Sequence, residues 1–274
     1  MSYFVDKKVF ITGASSGIGA ELARQLHRQG AAVGLLARRE ERLRALAEEL
    51  SPEGERVAWA TADVTDGEEL DQALDQLEQD LGGVDMLVAN AGFGRPEAPH
   101  RFEPGQSLST YDTNLFGMLR ALDWVLPRFL EQRSGHIVGV ASVASYWGLT
   151  NSASYCGSKA AMRIHLQGLR LSLWRYGIHV TTICPGFVES ELTDGVRYNM
   201  PFYWDTPRAV RRICRALERQ EGETIFPWQM RALVLLTTRF LPRRLVEAVA
   251  RRYSPRPQDR DPRGEGLGST TGEG

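Results

Sequence analysis

The chain predicts an α/β fold, a doubly wound parallel sheet in a single domain, and three observations carry that expectation. Short apolar runs alternate with longer helical stretches along most of its length. A glycine-punctuated turn separates the first run from the first helix. The 274 residues, 42% hydrophobic, are enough to bury a sizeable core. In order, Lys8-Val-Phe-Ile11 reads as the first strand and Ala20 to Gln29 as a helix ended by Gly30 as its C-cap. Ala31 to Leu36 is the second strand, Thr61-Ala-Asp63-Val64 ends a third, and Val84 to Ala89 is a fourth. Asn114, in Tyr-Asp-Thr-Asn-Leu-Phe-Gly117, falls within an amphipathic helix, where asparagine has poor propensity and needs a reason. The run His136-Ile-Val-Gly-Val-Ala141 is a fifth strand, Tyr155 and Lys159 share the next helix, and Ile178 to Cys184 is a sixth strand.

The first turn, Thr12-Gly-Ala-Ser-Ser-Gly-Ile-Gly19, is built to hold a dinucleotide. Gly13, Gly17 and Gly19, with Ser15, Ser16 and Ile18 between them, bring backbone close to a pyrophosphate at a helix N-terminus, where N–H groups and the helix dipole favour an anion. In such folds an acidic residue at the end of the second strand usually binds the ribose 2′-hydroxyl; this chain has Ala37-Arg38-Arg39. Two arginines at the start of the following helix are disfavoured by its dipole, and a bound 2′-phosphate relieves that, which points to NADP(H) over NAD(H). Asp63, next to Val64, either accepts from the adenine amine or caps the helix beginning in Thr65-Asp-Gly-Glu-Glu, and the two roles are compatible. Asn90-Ala91-Gly92 would let backbone pass close to a ribose. Pro185-Gly186-Phe187-Val188 would line the nicotinamide, with Ser190 offering a hydroxyl.

Tyr155-Cys-Gly-Ser-Lys159 sets a phenol and an ammonium at i and i+4, on one helix face. A phenol of pKa about 10 is a poor acid–base catalyst at neutral pH. A cation about 4 Å away contributes roughly 4 kcal/mol at an effective dielectric of 20, about three pKa units. Only three of the 33 basic side chains counted as Lys plus Arg are lysines, namely Lys7, Lys8 and Lys159, so an ammonium at 159 stands out against an arginine background. Ser142, at the end of the fifth strand, can donate to a substrate carbonyl while Tyr155 supplies the proton. A water held at Asn114 would relay protons to Lys159.

These motifs resemble, in order and spacing, the short-chain dehydrogenase/reductase family: the glycine turn, Asn90-Ala-Gly92, Asn114, Ser142, Tyr155 with Lys159, and Pro185-Gly186, over roughly residues 6 to 228. The resemblance implies a Rossmann-like sheet and a catalytic tetrad of Asn114, Ser142, Tyr155 and Lys159, with Lys159 also binding the nicotinamide ribose. Two positions depart from the pattern: Ala89 stands where many members have a second asparagine, and Ser190 where threonine is common. The division expected is a Rossmann-fold catalytic domain over 1–228, basic amphipathic helices over 229–253, and a disordered tail over 254–274 rich in Pro, Gly and Ser.

The net charge of −1 conceals an asymmetry: residues 1–200 hold 19 basic and 25 acidic side chains, residues 201–253 hold 11 and 5. The basic C-terminal stretch reads either as a lid and dimer contact with solvated arginines or as a membrane-surface helix pair meeting lipid substrates. No apolar run approaches spanning length and no signal peptide is read, so the cytoplasm is expected, with peripheral membrane contact as the alternative. Cys156, Cys184 and Cys214 imply neither a disulfide framework nor a metal centre. Phe93, Tyr146, Trp147 and Met200-Pro-Phe-Tyr-Trp204 are expected to converge near Tyr155 as an apolar pocket. The expected activity is hydride transfer between NADP(H) and a ketone or secondary alcohol on a hydrophobic small molecule, by a homodimer or homotetramer with no nucleic-acid partner. A 3-oxoacyl thioester reductase and a non-catalytic NADP(H) sensor are the alternatives.

Overall fold

A computed structural model describes residues 2–97, 102–189 and 200–252. Its strands are β1 Lys8–Thr12, β2 Ala32–Ala37, β3 Val57–Thr61, β4 Met86–Ala89, β5 Gly135–Val140, β6 Ile178–Pro185 and β7 Glu223–Phe226. Its helices are α1 Gly17–Arg28, α2 Glu40–Leu50, α3 Gly67–Leu81, α4 Pro104–Tyr111, α5 Gly117–Gln132, α6 Ala153–Leu173, α7 Thr206–Glu218, α8 Trp228–Arg239 and α9 Arg243–Arg252. The strands form one parallel sheet in the order β3-β2-β1-β4-β5-β6-β7. The order reverses between β1 and β4, and the crevice outside the strand ends at such a reversal is where ligands bind in this Rossmann-like architecture.

The apolar runs are double-sided because consecutive strand residues face opposite ways. Val9, Ile11, Val33, Leu35 and Val88 meet Leu22 and Leu26 of α1, Leu43 of α2 and Ile213 of α7. Phe10, Leu36, Leu87 and Ile137 meet Leu70 and Leu74 of α3, Phe129 of α5, and Met162 and Leu166 of α6 on the other face. Each large side chain buried this way contributes about 1.5–3 kcal/mol, so both helical layers are needed to cover the sheet.

The expected strands are all present, with ends shifted by a few residues; β7 was not foreseen. α1 ends one residue earlier than expected, with Gln29 as its C-cap, and Gly30 follows at φ +96°: its N–H donates to His27 O at 2.9 Å and the N–H of Ala31 to Leu26 O at 3.1 Å. Three local expectations are corrected. Asp66, not Asp63, caps α3, accepting from Glu69 N at 3.0 Å. Arg39 is the N-cap of α2, so Glu40 and Glu41, not the two arginines, occupy its first turn and meet its dipole. Asn114 lies in a π-helical segment, Asp112–Phe116, between α4 and α5 rather than in an α-helix; such widened turns are rare and frequent at functional sites.

A first compact unit runs Met1–Val234 and a second begins at Leu235. In the second, Arg243 pairs with Glu247 at 2.8 Å along α9. The tail over 254–274 lies outside the described residues. No helix among the described residues is long and apolar enough to cross a membrane.

Candidate active site

The site grows from the carboxyl ends of the strands. Past β1, Gly13 takes φ +68°, and a Cβ there would stand 2.8 Å from Ala91 Cα; a side chain at Gly19 would run into the Gly13 carbonyl. The turn therefore tolerates no side chains where it approaches β4. Ser16 is the N-cap of α1 without capping it by its side chain, and no acid stands in the first turn, so backbone N–H groups there are presented to an anion. Asn90 and Thr12 brace the turn. The Asn90 amide donates to Thr12 O and Gly13 O at 3.0 and 3.1 Å, and Thr12 Oγ1 accepts from the N–H groups of Asn90 and Ala91, each at 3.1 Å.

At the end of β2, the Arg39 guanidinium donates to Ser15 Oγ at 3.0 and 3.2 Å and to Ser16 Oγ at 2.8 Å. Arg38, largely exposed, pairs with Asp63 at 3.3 Å. Burial opposes ionisation of Asp63, but the Thr65 N–H and hydroxyl and the Arg38 charge outweigh it and hold the carboxyl below its usual range. These residues, with Val64, line a cleft of about 420 Å³ that continues along Asn90, Ala91, Gly92 and Phe93 to Val140, Tyr155 and Lys159.

At that end, α6 holds Tyr155 half-buried and Lys159 4% exposed. Lys159 Nζ donates to Val140 O at 2.7 Å, with Met162 Sδ 3.9 Å away, and burial lowers its pKa to about 8. Ser142 caps the short turn Val143–Tyr146, its Oγ accepting from Ala144 N at 3.1 Å, which leaves the hydroxyl proton available to donate. Asn114 is buried: its Oδ1 accepts from Phe93 N at 2.8 Å, and its amide donates to Phe93 O at 2.9 Å and to Ser158 Oγ at 3.0 Å. Ser158 Oγ in turn donates to Tyr155 O at 2.9 Å. Asn114 thereby ties the loop after β4 to the helix carrying Tyr155.

Not every expected residue reaches the cleft. Pro185, Gly186 and Val188 are not among its lining residues; Gly186 N donates to Phe226 O at 2.7 Å and Val188 bridges to Trp204. Ser190 lies outside the described residues. The expected convergence of aromatics is not found among the described residues. Tyr146 donates to Glu223 at 2.6 Å under the Arg163 guanidinium, Trp204 stacks on Phe226 with centroids 5.5 Å apart, and Phe202 and Tyr203 are exposed. Of the named aromatics, Phe93 lines the cleft. Conversely Thr12, Thr113, Val140 and Ser158 take part in the site without having been singled out in the sequence.

The residues present fit a nicotinamide dinucleotide. A turn with glycine at its close approaches faces a helix N-terminus without a side-chain cap, two guanidiniums stand at the end of β2 beside it, and a buried ammonium and a phenol stand at the other end of the same cleft. A family model described as short chain dehydrogenase matches residues 7–200. The chain is 38% identical over 252 residues to an uncharacterized oxidoreductase of Myxococcus xanthus, covering 92% of this chain and 98% of that one. Among solved structures it is similar to an actinorhodin polyketide ketoreductase with NADPH, at 28% identity and TM-score 0.73 over 82% of this chain and 97% of that one. It is likewise similar to a gluconate 5-dehydrogenase from Burkholderia cenocepacia in complex with NADP and tartrate, at 27% identity and TM-score 0.76 over 84% and 97%.

Proposed function

The chain belongs to the short-chain dehydrogenase family of oxidoreductases, and from that premise we propose that it transfers a hydride reversibly between NADP(H) and a ketone or secondary alcohol on a bulky hydrophobic molecule. The observation that carries hydride transfer with NADP(H) is the continuous cleft from Arg38 and Arg39 to Tyr155 and Lys159. The bound cofactor supplies or takes up the hydride. In the reducing direction Tyr155 would give its phenolic proton to the carbonyl oxygen of the substrate. Ser142 donates a hydrogen bond to the same oxygen and polarises it. The Lys159 ammonium, fixed on Val140 O, would favour the phenolate that remains and would hold the nicotinamide ribose. Asn114 holds the Phe93 loop and α6 at a set separation, and a proton relay through water at this position would run beside its engaged amide. Gly13, Ser15 to Gly19, Asp63, Val64 and Asn90 to Gly92 would hold the nucleotide.

NADPH oxidation followed across a panel of hydrophobic ketones, with small polar ketones as controls, tests this reading. Turnover confined to bulky apolar substrates supports it. Tight NADPH binding without turnover of any ketone would make the protein a sensor instead. A ketoacyl thioester on an acidic carrier is the second reading; the likeness to a polyketide ketoreductase and the excess of arginine after residue 200 favour it, and the same panel extended to thioesters decides.

Assembly as a homodimer or homotetramer would cover Ile164 and Leu171 of α6 and Trp174 just past its end, exposed at 54, 72 and 65%. The second unit exposes Leu235, Leu236 and Phe240 along with Arg239, which supports a weak peripheral hold of residues 228–253 on anionic lipid by a cytoplasmic enzyme.

A further inference from the structure

α6 delivers Tyr155 from its first turn, where backbone N–H groups have no partner within the helix and the end is prone to fray. Ser152, the N-cap, makes no side-chain capping bond. The cap comes from elsewhere. Glu97, on the loop after β4, accepts from Ser154 N with both carboxylate oxygens, at 3.0 and 3.3 Å, while its own N–H donates to Asn151 O at 2.8 Å. A carboxylate is suited to that place, because the helix dipole favours a negative charge there.

The same loop touches the reacting group. A Cβ on Gly94 would stand 2.9 Å from Cδ2 of the Tyr155 ring, so the backbone at 94 lies directly against the phenol. The loop is held on both sides of that contact. Asn114 grips both the N–H and the carbonyl of Phe93, Gln106 Nε2 donates to Pro96 O at 3.1 Å, and Glu97 closes on the helix. Tyr155 therefore stands between a loop fastened at 93 and 97 and a helix end that the loop itself caps.

We propose that Glu97 is a positioning residue: its carboxylate caps α6 from the adjoining loop and fixes where the Tyr155 hydroxyl stands relative to substrate. This rests on the reading of Tyr155 as proton donor. Loss of the cap loosens the first turn, and proton and hydride must arrive in one geometry, so a small displacement of the hydroxyl lowers turnover without weakening the distant nucleotide contacts.

The test uses Glu97→Ala, Glu97→Asp and Glu97→Gln in the full chain. It reads amide hydrogen exchange over residues 153–157, NADPH affinity by fluorescence, and kcat and KM for a hydrophobic ketone that the wild type reduces. Loss of a side-chain cap corresponds to about two- to thirtyfold. Alanine, and aspartate with its shorter reach, should raise exchange and lower kcat by about tenfold, with NADPH affinity within about twofold. Glutamine keeps an acceptor oxygen and should restore both to within about threefold. Unchanged exchange and kcat in Glu97→Ala overturn the proposal. So does a glutamine variant as impaired as alanine, or an equal loss of NADPH affinity. If Glu97→Ala does not fold, glutamine outperforming aspartate upholds the proposal and the reverse overturns it. A wild type that reduces no ketone sinks the hydride-transfer reading, whereas unchanged exchange sinks the cap, so the two failures are read separately.

Discussion

Replacing Lys159 by methionine should change how stability depends on pH, and the size of the change follows from the burial of one ammonium. Lys159 is 4% exposed; its Nζ meets Val140 O and Met162 Sδ, and no carboxylate among the described residues pairs with it. Burial lowers its pKa from 10.5 to about 8. Between those values the unfolded chain binds the extra proton and the folded one does not, so stability rises with pH across this window. At about 1.36 kcal/mol per pKa unit the gain is about 3 kcal/mol in all, most of it between pH 8 and 10.5. Lys159→Met lacks this term. Urea unfolding of both proteins at pH 7 and pH 10 should show the wild type gaining about 2–3 kcal/mol relative to the variant. The sign matters, because a lysine paired with an acid would lose stability as pH rises. A difference that stays constant to within about 0.5 kcal/mol would mean the ammonium is not desolvated, and the Coulombic support claimed for Tyr155 would shrink with it.

Tyr155→Phe removes one transferable proton and keeps the ring. NADPH affinity should stay within about twofold while turnover falls by about 10²–10⁴; retention of more than about a tenth of it removes Tyr155 from the acid's role. The wild type should prefer NADPH to NADH by at least about tenfold in kcat/KM, since a charge-assisted contact contributes about 1.5–3 kcal/mol. Arg38→Asp, which sets a second carboxylate beside Asp63, should reverse that preference, and equal efficiency with both cofactors in the wild type would refute the assignment. Co-sedimentation with anionic vesicles should be measurable at low salt and lost at high salt, each arginine near the surface contributing about 1 kcal/mol. If the protein stays in the supernatant at low salt, the exposed apolar residues of α8 serve contact with another protein surface instead.

What the sequence disclosed about the site has a topological cause. In a parallel doubly wound sheet every strand ends on the same side, so motifs just past apolar runs are brought together whatever their separation along the chain. Gly13 follows β1, Arg38 follows β2, Asp63 follows β3, Asn90 follows β4 and Ser142 follows β5. Hydrophobic runs and turn residues suffice to locate them. The fastenings between these positions have no such signature. Thr12 accepts from residues 78 and 79 positions away, Asn114 reaches Ser158 across 44, and Glu97 reaches Ser154 across 57. In each case an ordinary polar residue meets backbone or a hydroxyl whose nearness only the finished fold creates. The π-helical segment is hidden for a related reason, since one added residue per turn barely alters an amphipathic pattern. Aromatic residues mislead in the opposite direction: Tyr146 and Trp204 stand close in sequence to site motifs, yet Glu223 and Phe226 of β7, the strand not foreseen, draw them onto the sheet edge. The chemistry is thus written in residues whose type is demanding, the phenol, the ammonium and the glycines of the turn. Its precision depends on residues whose type is common, so Glu97 and Ser158 are where substitutions should alter turnover while every recognisable motif stays intact.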